Sequence, residues 1–467
     1  MLPVLDFSSN NPLYMQVYSY IKFSILEGSL KADEKLPSLR NLALQAGISV
    51  TTIELAYNQL LVEGYVRSQP KSGYFVNKME VGILTSSSEF HDFAVPSSID
   101  NLSNMTKPQL FSDLTSFDFI KWKKCINTIL NEFPGLLLSE GEPQGEFALR
   151  SQISRYIYNA RGVKCSPNQI VIGAGTQQLM NILSIVLIQT NITNVCFEDP
   201  GFSVSRNSFL DRGFAINSIP VTNNGIKIEA LPTCEKAAVY VSPSNQFPMG
   251  FVMPISRRYK LLDWAKENNS IIIEDDYDSE LRYFGKPIPS LKSLEKDGSE
   301  KVVYLGSFSS TLFNSIKISY MVLPNALLDI FIAYSKDYNQ TCSKLEQLTL
   351  SLYMQKGYYQ TNIRKLRSLY SQKAHLISDL IYKNFGNAVE ILNSNSGVHM
   401  LLKVHCKKTK EQLCEEAAAL GISVLPVSNY TLVKDESNIP ELIFYYTRIP
   451  LSHMPSAISN LKSSWFE

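Results

Sequence analysis

Beyond residue 169 the chain carries a series of short apolar runs, each ending in small, hydroxylated or acidic residues, and this pattern constrains the fold most. The runs are Ile170-Val171-Ile172, Val195-Cys196-Phe197, Ala238-Val239-Tyr240-Val241, Ile271-Ile272-Ile273, Val302-Val303-Tyr304-Leu305 and Ile318 to Leu323. They read as buried strands alternating with helices, the signature of an α/β sheet domain. The turns after them carry the candidate chemistry. Gly173-Ala174-Gly175-Thr176-Gln177-Gln178 joins a strand to a helix starting near Leu179. Backbone N–H groups and the Thr176 hydroxyl there make a phosphate cradle, although glycine turns before helices are also frequent without a ligand. Ser307-Phe308-Ser309-Ser310 offers hydroxyl and N–H donors to one anion; an ordinary strand connection is the alternative. Glu274-Asp275-Asp276-Tyr277-Asp278 puts carboxylates at the end of a buried strand, which is costly unless they are paired. A solvated acidic loop is the other reading.

The first 76 residues follow a different pattern. Tyr14, Val17, Tyr18, Ile21 and Ile25 recur at helical spacing before Gly28. Ser38 caps a short helix, Gly47-Ile48 makes a tight turn, and Ser49 caps a second helix bearing Ile53, Ala56, Tyr57 and Leu60. Tyr65-Val66-Arg67 and Tyr74-Phe75-Val76 then form a hairpin, completing a winged helix-turn-helix. Leu36-Pro37-Ser38-Leu39-Arg40, Gly47-Ile48-Ser49, Ala56-Tyr57, Glu63-Gly64-Tyr65 and Ser72-Gly73 together resemble the DNA-binding domain of the GntR regulator family. The resemblance implies that Arg40, the start of the second helix (Ser49, Thr51, Thr52) and the wing (Arg67, Lys71, Ser72, Gly73) meet a double-stranded DNA operator. Where that family commonly has Arg after the capping serine, Val50 stands here. Six cations (Lys22, Lys31, Lys35, Arg40, Arg67, Lys71) balance six anions (Asp6, Glu27, Asp33, Glu34, Glu54, Glu63), so residues 1–76 are net neutral. Counterion release is then modest, and affinity rests on dimerisation and local geometry.

Periodicity disappears over residues 77–107, where Thr85-Ser86-Ser87-Ser88 and Pro96-Ser97-Ser98 mark a linker. The expected domains are therefore 1–76, a linker, and 108–467 with a small subdomain from about residue 328. The net charge of +1 provides no global attraction to nucleic acid or membrane. Seven scattered cysteines without a CxxC pair fit reduced thiols rather than disulfides or a zinc site. With no basic-then-apolar start and no apolar run of spanning length, a cytoplasmic protein without a membrane partner is expected.

The motifs from Gly141-Glu142-Pro143-Gln144-Gly145 to Leu442–Arg448 resemble, in order, a fold-type I aminotransferase domain, with a large α/β sheet domain and a small C-terminal α/β subdomain. Fusion to a winged helix resembles the MocR/GabR subfamily of GntR transcriptional regulators. The resemblance implies pyridoxal 5′-phosphate as cofactor. Gly175, Thr176 and Gln177 would contact its phosphate, Phe202 would stack on its ring, Asp275 would pair with its pyridine nitrogen and Tyr277 with its ring hydroxyl. Ser307 and Ser309 would add phosphate contacts. Arg448 would hold the carboxylate of an amino-acid ligand. The family's Schiff-base lysine position is Ser310, and Lys317 stands where the family has a phosphate-binding Arg. Serine neither forms an imine nor serves as an amine base, so a non-enzymatic regulator that senses pyridoxal 5′-phosphate or its amino-acid adduct is expected, acting as a homodimer. A regulator responding to an unrelated small molecule, and an aminotransferase with an accessory DNA-binding domain, remain the alternatives.

Overall fold

The computed structural model describes Leu5 and residues 11–78, 111–282, 288–296, 298–393, 397–432 and 439–466. Two compact units divide the chain, Met1–Met105 and Thr106–Glu467. The expected linker lies outside the described residues apart from Asn77 and Lys78.

The smaller unit contains α1 (Leu13–Leu26), α2 (Leu39–Ala46), α3 (Val50–Val62), β1 (Val66–Gln69) and β2 (Gly73–Val76). Local chemistry sets its boundaries. The Ser38 hydroxyl accepts the Asn41 N–H at 3.3 Å, and the Ser49 hydroxyl accepts the Thr52 N–H at 3.1 Å. Gly47, at φ 66°, ends α2 in the left-handed conformation that glycine adopts without steric cost. Val17, Ile21 and Ile25 of α1 share one core with Ile53, Ala56, Tyr57 and Leu60 of α3. The hairpin pairs Val66 with Val76 and Gln69 with Gly73, so the strands reach closer to the wing tip than the apolar residues alone indicate.

The larger unit begins with α4 (Phe119–Glu132) and α5 (Phe147–Arg161), followed by β3 (Ile170–Gly173), α6 (Thr176–Ile188), β4 (Asn194–Asp199), α7 (Ser203–Leu210), β5 (Ala215–Thr222) and β6 (Gly225–Ile226). Next come β7 (Ala238–Val241), α8 (Ile255–Glu267), β8 (Ile271–Asp275), the short α9 (Leu291–Leu294), β9 (Val302–Ser307) and β10 (Ser319–Val322). These strands form one sheet of order β3-β10-β9-β8-β7-β4-β5-β6. β9, β8, β7, β4 and β5 run parallel, whereas β10 is antiparallel to both β9 and β3. Alternate residues serve opposite faces: Ile170 and Ile172 enter a core with α5, and Val171 enters a second core with α6. In such a sheet, ligands bind beyond the carboxyl ends of the parallel strands. Asp275 ends β8 there, and Ser307 ends β9.

α10 (Asn325–Ser335), α11 (Lys344–Gln355) and the 28-residue α12 (Tyr358–Phe385) follow. β11 (Val389–Asn393), β12 (Met400–Val404), α13 (Lys410–Ala419), β13 (Val424–Pro426), β14 (Glu441–Phe444) and α14 (Met454–Phe466) complete the unit. The second sheet is antiparallel, in the order β11-β12-β14-β13. Its core starts at Ala374, well after the expected residue 328. The reason is packing: Leu327, Leu328 and Phe331 of α10, and Leu350, Tyr353 and Met354 of α11, fill the cores of the large sheet.

Candidate functional site

A cavity of about 460 Å³ opens at this end of the large sheet. Gly175, Thr176 and Gln177 line it from the start of α6. Gly175 has φ 85°, and a Cβ added there would meet no atom within 4 Å, so backbone conformation rather than crowding requires glycine. The first N–H groups of a helix have no intrahelical acceptor, so this rim is a donor surface with a positive dipole end. Ser307, Ser309, Ser310 and Lys317 line the same cavity. The Ser319 hydroxyl donates to Ser307 Oγ at 3.0 Å, and Ser307 Oγ lies 3.4 Å from Ser309 Oγ. Lys317 is exposed and has φ 47°, a conformation uncommon for a non-glycine residue and frequent at ligand clamps.

Phe202, Asp275 and Tyr277 also line the cavity. Phe202 meets Phe247 edge to face, with ring centroids 5.9 Å apart. Asn245 Nδ2 donates to the Tyr277 hydroxyl at 3.4 Å. Asp275 is only 6% exposed and accepts a short hydrogen bond from the Tyr240 hydroxyl. Burial pushes its carboxyl up to about 7, with Asp276 and Asp278 adding to the rise against the hydrogen bonds from Tyr240 and the Tyr277 backbone.

The acidic run is buried, so the solvated-loop reading fails. The carboxylates differ in how they are paired. Arg161 Nε donates to Asp276 Oδ2 at 2.6 Å and its Nη2 to Oδ1 at 3.0 Å. Ser244, Ser279 and Tyr304 hydroxyls complete the shell. Burial raises the Asp276 carboxyl, but Arg161 and these donors outweigh it and hold the pKa below its ordinary value. Glu274 accepts the Leu291 and Lys292 N–H groups at 2.7 and 2.8 Å. Asp278 lines the cavity, and burial pushes its carboxyl up to about 6 against the influence of the Ser310 hydroxyl and the Val398 backbone.

Thus all ten residues expected to hold the cofactor share one cavity, while Arg448 is absent from its lining. Arg448 Nη1 donates to Ser423 Oγ at 3.1 Å, and its guanidinium lies 4.9 Å from the Tyr445 ring centroid. Tyr445 does line the cavity. Asp278, Phe247, His399 and Tyr445 are lining residues that sequence reasoning did not select. Asp278 was visible within the acidic run, but nothing local separates its role from that of Asp276. His399 Nε2 lies 3.0 Å from Pro248 O, and burial lowers its pKa, favouring a neutral ring.

On the smaller unit, Arg40, Ser49, Thr51, Lys71 and Ser72 are exposed, and Thr52 and Gly73 partly so. Arg67 differs. Its guanidinium is engaged by Asp33, Val76 O and Asn77 Oδ1 and packs over Phe75. It therefore braces the base of the wing. Among the described residues no helix is long and apolar enough to cross a membrane, and no cluster of three His, Cys, Asp or Glu is placed to hold a metal.

Fold and cavity define a winged helix joined to an aminotransferase-type unit. Residues 13–76 match the bacterial regulatory proteins of the gntR family, and residues 113–437 match aminotransferase class I and II. The chain belongs to the GntR-type transcriptional regulators with an aminotransferase-like domain, the MocR/GabR subfamily. It is 37% identical over 464 residues to the uncharacterized HTH-type transcriptional regulator YhdI of Bacillus subtilis (strain 168), covering 99% of this chain and 98% of that one. It is 28% identical to the probable rhizopine catabolism regulatory protein MocR of Rhizobium meliloti, covering 99% and 95%. The α-aminoadipate aminotransferase LysN of Thermus thermophilus, solved with N-(5′-phosphopyridoxyl)-L-leucine, shares the fold of the larger unit. Its TM-score is 0.66 at 20% identity, over 78% of this chain and 94% of that one.

Proposed function

We propose that this regulator binds DNA through its winged helix and senses pyridoxal 5′-phosphate, or an amino-acid adduct of it, without a covalent bond. The observation that carries the reading is the convergence of the ten expected residues on one cavity. The donor set suits the group. Helix-start N–H groups, the Ser307 and Ser309 hydroxyls and Lys317 suit a phosphate dianion. The buried carboxyl of Asp275 gains a partner in a protonated pyridine nitrogen, with Phe202 against the ring and Tyr277 at its hydroxyl. When bound, the group supplies an aldehyde conjugated to a pyridine. Ser310 has no amine to meet that aldehyde, so this chain's residues bind and orient the ligand but lack the lysine base for amino transfer. Arg448, whose guanidinium packs on the cavity-lining Tyr445, is the residue that would pair with a ligand carboxylate.

A homodimer in the cytoplasm completes the reading. Leu114, Ile120 and Leu138 lie close in sequence and are largely exposed, apolar surface suited to a second copy. Ligand binding then acts by favouring one arrangement of the paired winged helices. Footprinting of the full chain on DNA from its own regulatory region, with and without pyridoxal 5′-phosphate and amino acids, tests the coupling. A ligand-dependent change in protection is expected; a pattern indifferent to every such ligand would defeat it.

A further inference from the structure

Resting on the proposed phosphate-pyridine site, a second feature of the cavity concerns what the ligand carries opposite the phosphate. Asp278 is 3% exposed, adopts the left-handed conformation at φ 56° and lines the cavity beside Ser310. Its Oδ2 has no hydrogen-bond partner among the described residues. The Ser310 hydroxyl and the Val398 backbone favour the ionised carboxylate against the burial that raises its pKa. A buried carboxylate oxygen without a donor is costly, and the cost disappears when a charged donor arrives. Among the large cavity's other lining residues, Tyr277 and Tyr445 are phenols and the buried His399 is held toward its neutral form, while Arg161, Arg258 and Arg282 share a second, small cavity with Asp278.

We propose that Asp278, together with Ser310, is a receptor for a protonated primary amine on the ligand, so that the cavity prefers the amine form, pyridoxamine 5′-phosphate, to the aldehyde form. The ligand's ammonium occupies the neighbourhood of Ser310 and donates to Asp278 Oδ2, and Ser310 is small enough to leave room for it. No bond forms or breaks. The neutral aldehyde carries no donor for that oxygen. A hydroxymethyl group, as in pyridoxine 5′-phosphate, offers only an uncharged one.

Calorimetric titration of the full chain with these three phosphates tests the assignment. Pyridoxamine 5′-phosphate is expected to bind about 10- to 100-fold more tightly than pyridoxine 5′-phosphate, the span of one charge-assisted hydrogen bond. In Asp278→Asn that preference should fall to within about threefold, through weaker binding of pyridoxamine 5′-phosphate. Equal binding of all three by the unaltered chain overturns the amine receptor and leaves the phosphate-pyridine site standing. Binding by none of them overturns both. Asp278→Ser provides a second variant should Asp278→Asn not fold: it too should lose the preference, and retention of the preference there would count against the assignment.

Discussion

Replacing Arg161 with Met should expose how the acidic floor of the cavity is kept stable. Arg161 and Asp276 are buried side chains paired at 2.6 Å, and removing one member leaves an uncompensated charge in the interior. Asp276 then either stays ionised beside Glu274 and Asp275 or takes up a proton. Protonation limits the damage. Holding neutral a carboxyl whose ordinary pKa is 3.8 costs about 1.4 kcal/mol per pH unit above that value, hence about 4 kcal/mol at pH 7 and about 2 kcal/mol at pH 5. In the unaltered chain the folded pKa is lowered, so the pair's contribution is present above 3.8 and disappears only as the pH falls through the lower folded value. The variant's deficit should therefore shrink by about half between pH 7 and pH 5. Denaturant unfolding followed by tryptophan fluorescence isolates the larger unit, because Trp122, Trp264 and Trp465 all lie in it. A deficit below about 1 kcal/mol at pH 7, or one independent of pH, would refute the reasoning.

Other outcomes follow from the same geometry. Arg40→Ala and Lys71→Ala should each weaken DNA binding and reduce the salt slope by about 1, whereas Arg67→Ala, already neutralised by Asp33, should leave the slope nearly unchanged in a filter-binding series. Asp275 has a folded pKa raised to about 7, so its ionisation penalises the ligand-free fold increasingly from about pH 4 to pH 7; Asp275→Asn should stabilise the ligand-free chain more at pH 8 than at pH 5, by about 3 kcal/mol in denaturant melts. The same substitution should weaken pyridoxal 5′-phosphate binding. Lys317→Ala should cost roughly tenfold or more in affinity for phosphate-bearing ligands by titration, with little change for ligands lacking phosphate.

The winged helix was legible because its determinants are local. Ser38, Gly47 and Ser49 mark their helix ends within three residues, and the structure uses each of them in that way. The strands of the large sheet were legible as apolar runs, but their order was not. β10 follows β9 in sequence and lies antiparallel between β9 and β3, a pairing that joins residues more than a hundred positions apart. The same distance hid the division of labour among Asp275, Asp276 and Asp278. Arg161 lies 115 residues from Asp276, and nothing near Asp276 announces its partner. The surroundings of Arg67 were hidden for a similar reason: Asp33, from the loop before α2, draws its guanidinium to the wing's base.

The central claim is that the larger unit holds pyridoxal 5′-phosphate without a covalent bond. Spectroscopic titration of the full chain with that compound, followed by borohydride reduction and intact-mass measurement, tests it most directly. Saturable binding with no added mass after reduction is the expected result. Absence of saturable binding, or a reduced adduct localised to Lys317, would contradict it.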